Sequence, residues 1–337
     1  MSTQVFISVL LHILLVVLII IFIYVAIYVV LKTWLKNKIV FCTSKERLTG
    51  KVVLLTGGNT GIGLETARGL AKRGATLIIA CRNRQRSEEA VADIIKTTGN
   101  YNVEYRHLDL SNFSNVRNFA DEFNRSFNRL DILINNAALI SGNEITEDGI
   151  HIIMQTNYYG PFLLTMLLMN KLIETRPSRI VNVSSSAHSW VDLNNIYGIN
   201  TNFFRVYCNS KIFLMLWTKA LAKRLPDGVT VNALHPGLVV TEILHVPKCL
   251  LKIAKVMIGP LLKSPEEGAQ TTLHLCVSKE VQNITGGYFE NCKMVPPRNS
   301  LVTNEDAAEK IWNQSIMVTK LDKSLTVFDK DLDISVS

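Results

Sequence analysis

The sequence predicts an α/β fold: a doubly wound parallel sheet in a single catalytic domain, with an N-terminal transmembrane helix before it. Three observations lead to this prediction. From Leu48 onward, short β-branched apolar runs alternate with helical stretches, which is typical of parallel strands covered on both faces. A glycine-rich turn follows the first run and opens a helix. The uncharged segment Val5–Leu31 precedes them all. The domain is therefore expected to be Rossmann-like.

Composition limits the classes of function. The chain has 337 residues, of which 48% are hydrophobic, so it can build the core of one large α/β domain. Its net charge of +8 is modest, and the positive residues concentrate after the apolar segment, so no nucleic-acid partner is expected. The six cysteines show no metal-ligand spacing. They are expected to be reduced thiols of a cytosol-facing protein, with no metal site.

Residues 1–34 are predicted to be a membrane anchor, followed by a polar tether over 35–47. As a helix, Val5–Leu31 would extend roughly 40 Å, enough to cross a bilayer with tilt. Basic residues follow it, which places the catalytic domain in the cytosol, and the endoplasmic reticulum is the expected membrane. These residues are Lys32, Lys36, Lys38, Lys45 and Arg47. The alternative is a cleaved signal peptide in a secreted protein, but that would need an early positive charge and a shorter apolar run.

The catalytic domain is predicted to cover residues 48–300. The strands are expected at Val52–Leu55, Thr76–Cys81, Val103–Leu108, Ile132–Asn135, Arg179–Ser184 and Thr230–His235, with a short strand near Tyr288–Phe289 closing the sheet edge. Helices are expected near 86–98, 114–127, 150–174 and 204–225, and one begins at a capping box formed by Ser264 and Glu267. Residues 301–337 are expected to form a surface helix over Asn304–Val318 and a polar tail.

The glycine-rich turn lies between the first strand and its helix. Gly57, Gly61 and Gly63 would allow a sharp turn, close approach of the backbone to a pyrophosphate, and tight packing of the helix on the sheet. The free N–H groups at the helix start would then face phosphates. The spacing Gly-x-x-x-Gly-x-Gly is a weak signal alone, and a glycine turn without a ligand is the alternative.

The ends of the second and third strands carry the cofactor preference. An acidic residue after the second strand would bind the ribose 2′-hydroxyl of NAD, but this strand ends in Cys81, Arg82 and Asn83. Arg82 can pair with a 2′-phosphate, which favours NADP(H), although it could also be a solvated arginine. Asp109 follows the third strand and could meet the adenine edge or cap the next helix.

Small and polar residues follow the fourth strand. Ala137 would leave room for a cofactor, and Asn135 and Asn136 would fix the strand end by hydrogen bonds. Asn157 lies on the following helix. A polar residue on a buried helix has either a structural or a catalytic role, and the sequence leaves both open.

The fifth strand leads into three serines, Ser184, Ser185 and Ser186, and the next helix carries Tyr207 and Lys211. Positions i and i+4 share one helix face, so the phenol and the ammonium point the same way. A nearby positive charge would lower the pKa of the tyrosine. Such a tyrosine can exchange a proton with a carbonyl or alcohol oxygen at neutral pH. The alternative is an ordinary helix face.

Taken together, these motifs resemble the short-chain dehydrogenase/reductase family over roughly residues 48–292. The matching motifs are Thr56-Gly57-x-x-x-Gly61-Ile62-Gly63, Asn135-Asn136-Ala137, Asn157, Ser185, Tyr207-x-x-x-Lys211 and His235-Pro236-Gly237. Within the family the chain is most similar to membrane-bound retinol dehydrogenases, with which it shares Ala80-Cys81-Arg82, Val181 to Ser185, Ser264 to Thr271, Gly287 to Cys292 and the anchor.

The resemblance implies a role for each catalytic position. Tyr207 would be the general acid/base, and Ser185 would hold and polarise the substrate oxygen, with Ser184 and Ser186 as alternatives. Lys211 would bind the nicotinamide ribose and lower the pKa of Tyr207. Asn157 would hold a water in a proton relay.

The resemblance also implies cofactor contacts from the glycine turn, the strand ends and the catalytic pair. The expected residues are Gly57, Asn59, Thr60, Gly61, Ile62, Gly63, Arg82, Asp109, Asn136, Ala137, Tyr207, Lys211, Pro236, Gly237 and Thr241. Thr241 would reach the carboxamide or the phosphates.

Two segments depart from the family pattern or extend it. Ala138 replaces a glycine common in the family, and Ser185 and Tyr207 are farther apart than in many soluble members. The extra segment Trp190–Thr201 is expected to form a loop over the substrate. Residues 243–263 are expected to form an apolar lid with spaced lysines, which could lie in the membrane interface or be an ordinary amphipathic surface helix.

The sequence thus predicts a membrane-anchored, NADP(H)-dependent oxidoreductase that interconverts a lipophilic alcohol and its aldehyde or ketone, most simply retinol and retinal. A steroid, prenyl or fatty alcohol is the alternative substrate. A catalytically silent NADP-binding membrane protein is the alternative class, but it would be expected to lack Tyr207 or Lys211. The sequence leaves open whether the protein forms a homodimer.

Overall fold

A parallel sheet forms the centre of the catalytic domain. The computed structural model describes residues 3–191, 202–239 and 261–326, and within these the sheet has eight strands in the order β3-β2-β1-β4-β5-β6-β7-β8. The strands are β1 (Val52–Thr56), β2 (Thr76–Cys81), β3 (Val103–His107), β4 (Ile132–Asn135), β5 (Ser178–Val183), β6 (Val229–His235), β7 (Tyr288–Glu290) and β8 (Lys293–Met294). The six strands predicted from Val52 to His235 are confirmed to within one residue at each end.

The chain order reverses beside β1. β2 and β4 flank β1 in parallel, so the chain winds outward in two directions from the centre, as a doubly wound fold requires. All five residues of β1 are buried, which explains why it is a continuous apolar run and not an alternating one.

The sequence analysis expected the strand near Tyr288–Phe289 to close the sheet edge, but the sheet continues beyond β7. Asn291 and Cys292 form a two-residue turn with φ of 48° and 58°, and the chain returns as β8, antiparallel to β7. Two consecutive positive φ values match the twist of a tight hairpin. β8 is only two residues long and exposed, so no apolar pattern marks it in the sequence.

Helices cover both faces of the sheet. The helices of the described residues are α1 (Thr3–Lys36), which is exposed and precedes the sheet, and α2 (Gly61–Ala71), α3 (Arg84–Thr98), α4 (Phe113–Ser126), α5 (Ile152–Met154), α6 (Gly160–Leu167), α7 (Met169–Glu174), α8 (Phe203–Ala222), α9 (Pro265–Val277) and α10 (Glu305–Val318). One core cluster packs α4, α6, α8 and α10 on one face, and a second packs α2, α3 and α9 on the other. The predicted capping box at the start of α9 is present, with hydrogen bonds in both directions between Ser264 and Glu267.

The helix predicted over 150–174 is interrupted. A single π-helical turn, Gln155–Tyr159, separates α5 from α6. The helix is interrupted a second time at Leu168, before α7 begins. Pro161 stands at the start of α6 and has no N–H to donate to the carbonyl of Asn157, so a regular α-helix cannot continue through this point. Single π-turns of this kind often occur at functional sites.

The C-terminal helix is part of the core and not only a surface element. Asn304 caps it as expected, but Ile311 and Trp312 are buried in the same cluster as α8. The hydroxyl groups of Tyr158 and Ser315 are hydrogen-bonded at 2.6 Å. One face of α10 therefore completes the catalytic domain.

α1 is long and apolar enough to cross a membrane by length and composition. The segment that follows it, residues 37–47, was expected to be a polar tether, but it lies along α9. The Cys42 N–H donates to Gln270 at 3.1 Å, and the Ser44 hydroxyl donates to the Val277 carbonyl at 3.3 Å. At the end of α1, the Lys36 ammonium lies 2.6 Å from a carboxylate oxygen of Glu267. We call residues 37–47 the strap.

Candidate active site

A cavity of about 750 Å³ opens at the carboxyl ends of the strands, where the strand order reverses between β1 and β4. This is the place where open α/β sheets bind ligands. Its lining includes most of the residues predicted from the sequence. These are Gly57, Asn59, Thr60, Gly61, Ile62, Gly63, Arg82, Asp109, Asn136, Ala137, Ser185, Tyr207, Lys211, Pro236 and Gly237.

The glycine turn shapes one end of the cavity. Gly57 and Gly61 have φ of +67° and +54°, a region that L-residues rarely adopt. A Cβ on Gly63 would lie 2.0 Å from the Gly57 carbonyl oxygen, so no side chain fits there. The Asn136 amide donates to the carbonyls of Thr56 and Gly57 at 2.9 and 3.0 Å and holds the turn in place.

The start of α2 is available to an anion. The side chain of Thr60, which precedes the helix, makes no capping hydrogen bond within the described part of the chain. The Thr60 side chain therefore does not occupy the first backbone N–H groups of α2, which lie at the cavity wall. Helix N-termini of this kind favour phosphate through their N–H groups and the helix dipole. The turn thus fits the pyrophosphate of a dinucleotide.

Two arginines line the cavity at the end of β2. Arg82 was predicted, but Arg86 was not; it lies in the first turn of α3 and also lines the cavity. Asn83 fixes that turn, because its side chain accepts the Arg86 N–H at 2.9 Å. Arg84 points elsewhere and pairs with Glu88 at 2.7 Å. The arginine-rich run after β2 was visible in the sequence, but only the helical geometry of α3 brings Arg86 to the cavity.

Asp109 lines the cavity and also stabilises its own turn. One carboxylate oxygen accepts both the N–H and the hydroxyl of Ser111, at 2.9 and 2.5 Å. The backbone N–H of Asp109 donates to Asn115 at 2.7 Å. Asp109 thus faces the cavity and forms a local turn, but Asn112 and not Asp109 caps the next helix. Contact of Asp109 with the adenine edge stays a prediction.

The Tyr207 phenol is hydrogen-bonded to the side chain of Ser185. The neighbouring serines make other contacts: the Ser184 hydroxyl donates to the Lys211 carbonyl at 3.2 Å, and the Ser186 N–H donates to Nδ1 of His235 at 3.2 Å. Ser185 is therefore the serine whose hydroxyl meets Tyr207. Burial raises the pKa of Tyr207, so its phenol is protonated at neutral pH.

Lys211 is fully buried beneath the tyrosine. Its ammonium donates to the Val183 carbonyl at 3.0 Å and lies 5.6 Å from the centre of the Tyr207 ring. Burial lowers the pKa of Lys211 to about 8. Desolvation of the phenol is the largest influence on the pKa of Tyr207 and raises it, and a lowering of that pKa by Lys211 stays a prediction.

The side chain of Asn157 supports the cavity wall. Its amide donates to the Leu139 carbonyl at 2.8 Å and to the Ser210 hydroxyl at 3.1 Å, and its oxygen accepts the Leu139 N–H at 2.7 Å. As far as the described residues define it, the lining includes Thr156 but not Asn157. A role of Asn157 in a proton relay stays a prediction.

Apolar side chains also line the cavity, among them Phe204 and Leu238, which the sequence analysis did not name. Trp190 and Phe204 face each other with ring centres 5.9 Å apart, and Leu238 follows the Pro236–Gly237 turn. Trp190 begins the segment expected to cover the substrate, but residues 192–201 lie outside the described part of the chain. So do Thr241 and most of the expected lid, since residues 240–260 are not described.

The fold and the cavity define a nicotinamide-dinucleotide-dependent oxidoreductase of the doubly wound class. The uncapped start of α2 and the crowded position of Gly63 suit a pyrophosphate, and a protonated tyrosine and a buried lysine stand at the far end. When bound, a nicotinamide supplies the hydride chemistry that no side chain can provide.

Comparisons with known proteins agree with this class. The short chain dehydrogenase family model matches residues 51–247, and the chain belongs to this family. It is 40% identical over 294 residues to human retinol dehydrogenase 13, covering 83% of this chain and 88% of that protein. It is 42% identical over 283 residues to bovine retinol dehydrogenase 12, covering 81% and 88%. It is also similar to the Pseudomonas aeruginosa RhlG structure, an active-site complex with NADP, at 25% identity and a TM-score of 0.58, covering 72% and 95%.

Proposed function

We propose that this oxidoreductase uses NADP(H) to interconvert a membrane-soluble alcohol and its aldehyde, with retinol and retinal as the substrate pair. The observation that carries the proposal is the hydrogen bond between Tyr207 and Ser185 at the wall of the cavity, above the buried Lys211. The apolar side chains in the cavity lining, Trp190, Phe204 and Leu238, suit a hydrophobic substrate. The names of the relatives at about 40% identity support a retinoid.

In the proposed chemistry, Ser185 holds the substrate oxygen and Tyr207 exchanges a proton with it. The Ser185 hydroxyl donates to the substrate carbonyl oxygen and holds it beside the Tyr207 phenol. The phenol, whose pKa is raised by burial, carries the proton that this oxygen takes up when the carbonyl is reduced. In the oxidative direction the same phenolate oxygen takes the proton from the alcohol.

The remaining predicted residues would bind the cofactor or return a proton to Tyr207. Lys211 would hold the nicotinamide ribose hydroxyls with the ammonium that now donates to Val183. Asn157 would hold a water that returns the proton to Tyr207 after turnover. Pro236 and Gly237 would pass close to the nicotinamide, and Thr241 would reach its carboxamide or the phosphates.

We propose NADP(H) over NAD(H) because the end of β2 presents Arg82 and Arg86 to the cavity and carries no carboxylate. A 2′-phosphate could accept charge-assisted hydrogen bonds from both guanidinium groups. The similarity to a protein whose structure contains NADP supports this assignment.

We propose that α1 anchors the enzyme in the endoplasmic reticulum membrane with the catalytic domain in the cytosol. The basic residues after the apolar run support this orientation. The strap and the ion pair between Lys36 and Glu267 would hold the domain close to the bilayer. The Lys36 ammonium also donates to the Leu262 carbonyl at 3.1 Å, and the neighbouring Lys263 donates to the Pro236 carbonyl at 3.2 Å. The inner end of the anchor thus contacts the segment that borders the cavity.

The test is turnover of a panel of lipophilic substrates by membranes that carry the protein, with NADPH and NADH compared. Retinal should be the best substrate, and NADPH should be preferred. A steroid ketone or a prenyl or fatty aldehyde as the best substrate would change the substrate but keep the chemistry. Absence of turnover despite NADPH binding would favour a catalytically silent NADP-binding protein. Contact of residues 243–263 with the membrane stays a prediction. Formation of a homodimer also stays a prediction.

A further inference from the structure

His188 is fully buried directly behind the catalytic serine. Its Nδ1 lies 2.6 Å from the Ser185 carbonyl oxygen, and its Nε2 lies 3.3 Å from the Arg298 backbone nitrogen. A carbonyl oxygen can only accept and a backbone N–H can only donate. His188 must therefore carry its proton on Nδ1 and accept at Nε2. Burial, the largest influence, lowers the pKa of His188, in agreement with a neutral ring.

The ring is held from several sides. It packs edge-on against Tyr288 of β7, with ring centres 5.1 Å apart. The Tyr288 hydroxyl donates to Glu290 at 2.8 Å, and Arg298 pairs with the other oxygen of Glu290 at 2.7 Å. The His188 carbonyl accepts a long hydrogen bond of 3.5 Å from Asn299. The segment after β8 thus reaches back to the serine loop.

The serine loop has other supports as well: the Ser185 carbonyl also accepts the His188 backbone N–H at 3.2 Å, and the Ser189 hydroxyl donates to the Ser186 carbonyl at 2.8 Å. Ser185 begins a 3-10 turn, Ser186–Trp190, and its hydroxyl also accepts the Ala187 N–H at 3.2 Å. His235 accepts the Ser186 N–H on the other side of the loop. Nδ1 of His188 therefore donates to the carbonyl of Ser185, and the hydroxyl of this same residue faces Tyr207.

We propose that His188 is a positioning residue that fixes the Ser185 hydroxyl towards Tyr207 and links the Arg298–Asn299 segment to the catalytic geometry. The inference rests on the proposed function, since it assigns Ser185 to the substrate oxygen. Its physical basis is that loss of the Nδ1–H donor removes the shorter of the two hydrogen bonds to the Ser185 carbonyl, at 2.6 Å against 3.2 Å from the His188 backbone N–H, and lets the Ser185 peptide rotate. Rotation of this peptide turns the hydroxyl away from the substrate oxygen, and small misplacements of reacting groups cost much of the rate.

Two substitutions separate hydrogen bonding from packing. His188→Phe keeps a ring against Tyr288 but loses the donor and the acceptor. His188→Asn keeps an amide N–H near the position of Nδ1 but leaves space beside Tyr288. His274→Phe is the matched control, because His274 is also a buried histidine that packs near a β7 aromatic, at 6.4 Å from Phe289, away from the serine loop.

We expect His188→Phe to lower kcat about tenfold or more with the KM for NADPH changed less than about twofold, since the reacting geometry is lost and the cofactor site is not. His188→Asn should restore kcat to within about threefold of the wild type even though its thermal midpoint is lower, because it recovers the hydrogen bond and not the packing. His274→Phe should leave kcat unchanged. Binding of NADPH, followed by fluorescence, should be unchanged in all three variants.

The opposite order, with His188→Phe active and His188→Asn inactive, would show that His188 only fills space and would overturn the inference. An unchanged kcat in both variants would overturn it as well. Tyr207→Phe is measured in parallel. If Tyr207→Phe is inactive and both His188 variants are fully active, only this inference fails. If Tyr207→Phe is active, the proposed function fails.

Discussion

The ammonium of Lys211 lies 5.6 Å from the centre of the Tyr207 ring, one helical turn away on α8, and donates to the Val183 carbonyl at 3.0 Å. Lys211 is fully buried and Tyr207 is half-buried at the cavity wall, and their pKa values shift in opposite directions. Burial raises the pKa of Tyr207 and lowers that of Lys211 to about 8, because it disfavours the charged form of each. The neutral phenol and the weakly basic lysine lead to the first two predictions.

Tyr207→Phe should abolish the chemical step and leave the cofactor bound. The change keeps the ring and removes the hydroxyl that carries the proton, a group that typically contributes on the order of 10²–10⁴-fold to the rate. Turnover should fall at least about a hundredfold with NADPH binding intact. Tyr101→Phe, at an exposed tyrosine away from the cavity, is the control. Near-normal turnover by Tyr207→Phe with NADPH bound would show that the proton comes from another group.

Affinity for NADPH should weaken as the pH rises through about 8. The pKa of Lys211 lies at about 8 in the free enzyme, so the amine is charged below this pH and loses its proton above it. A neutral amine is the weaker partner for the ribose hydroxyls. The logarithm of affinity should be flat below pH 8 and should fall above it. Titration of NADPH fluorescence at several pH values measures this.

Lys211→Met should bind NADPH more weakly and lose this pH dependence. Lys219→Met, about two helical turns further along α8 and outside the cavity lining, should keep it, although burial lowers the pKa of Lys219 too. A wild-type profile in the Lys211 variant would remove this lysine from cofactor binding.

Arg82→Ala should raise the KM for NADPH about tenfold or more, or about 1.4 kcal/mol, as expected for a lost charge-assisted contact. Use of NADH should barely change, because NADH has no 2′-phosphate. Arg86→Ala should act in the same direction, since Arg86 also lines the cavity. Arg84→Ala is the control from the same run, because Arg84 pairs with Glu88. Equal losses with both cofactors would contradict the assignment of the 2′-phosphate.

Only one of the three serines should be needed for turnover. Ser185→Ala should lower kcat about a hundredfold, the scale typical of a lost hydrogen-bond donor to a developing oxyanion. Ser186→Ala should retain most activity, since the contact of Ser186 with His235 is made by its backbone N–H. Ser184→Ala should affect kcat less than Ser185→Ala, because the Ser184 hydroxyl bonds a backbone carbonyl. A larger loss at Ser184 or Ser186 would reassign the catalytic serine.

The full-length protein should remain with membranes after washing with alkaline carbonate, and it should keep its N-terminus. The prediction rests on the apolar length of α1 and on the lysines that follow its apolar run. Fractionation followed by N-terminal sequencing measures both properties. Release of a soluble product that begins beyond residue 20 would show that α1 is a cleaved leader and not an anchor.

Much of this arrangement could be predicted because it depends on local sequence. The β-branched runs place the strands from β1 to β6, and β1 and β4 end in the glycines and asparagines that shape the cavity. The turn needs glycine at Gly63 because any Cβ would meet the Gly57 carbonyl. The spacing of Tyr207 and Lys211 puts both on one face of α8. Each of these features is fixed within a few residues along the chain.

The sequence by itself determined the doubly wound sheet, the glycine turn, Arg82 and the helical pair Tyr207 and Lys211. Only the tertiary structure decided which serine meets Tyr207, that Arg86 reaches the cavity, and that His188 joins the serine loop to Arg298. It also brought α10 into the core and laid the strap along α9. These contacts join residues far apart in the chain, and they follow from packing of complementary surfaces, which no local period or spacing encodes.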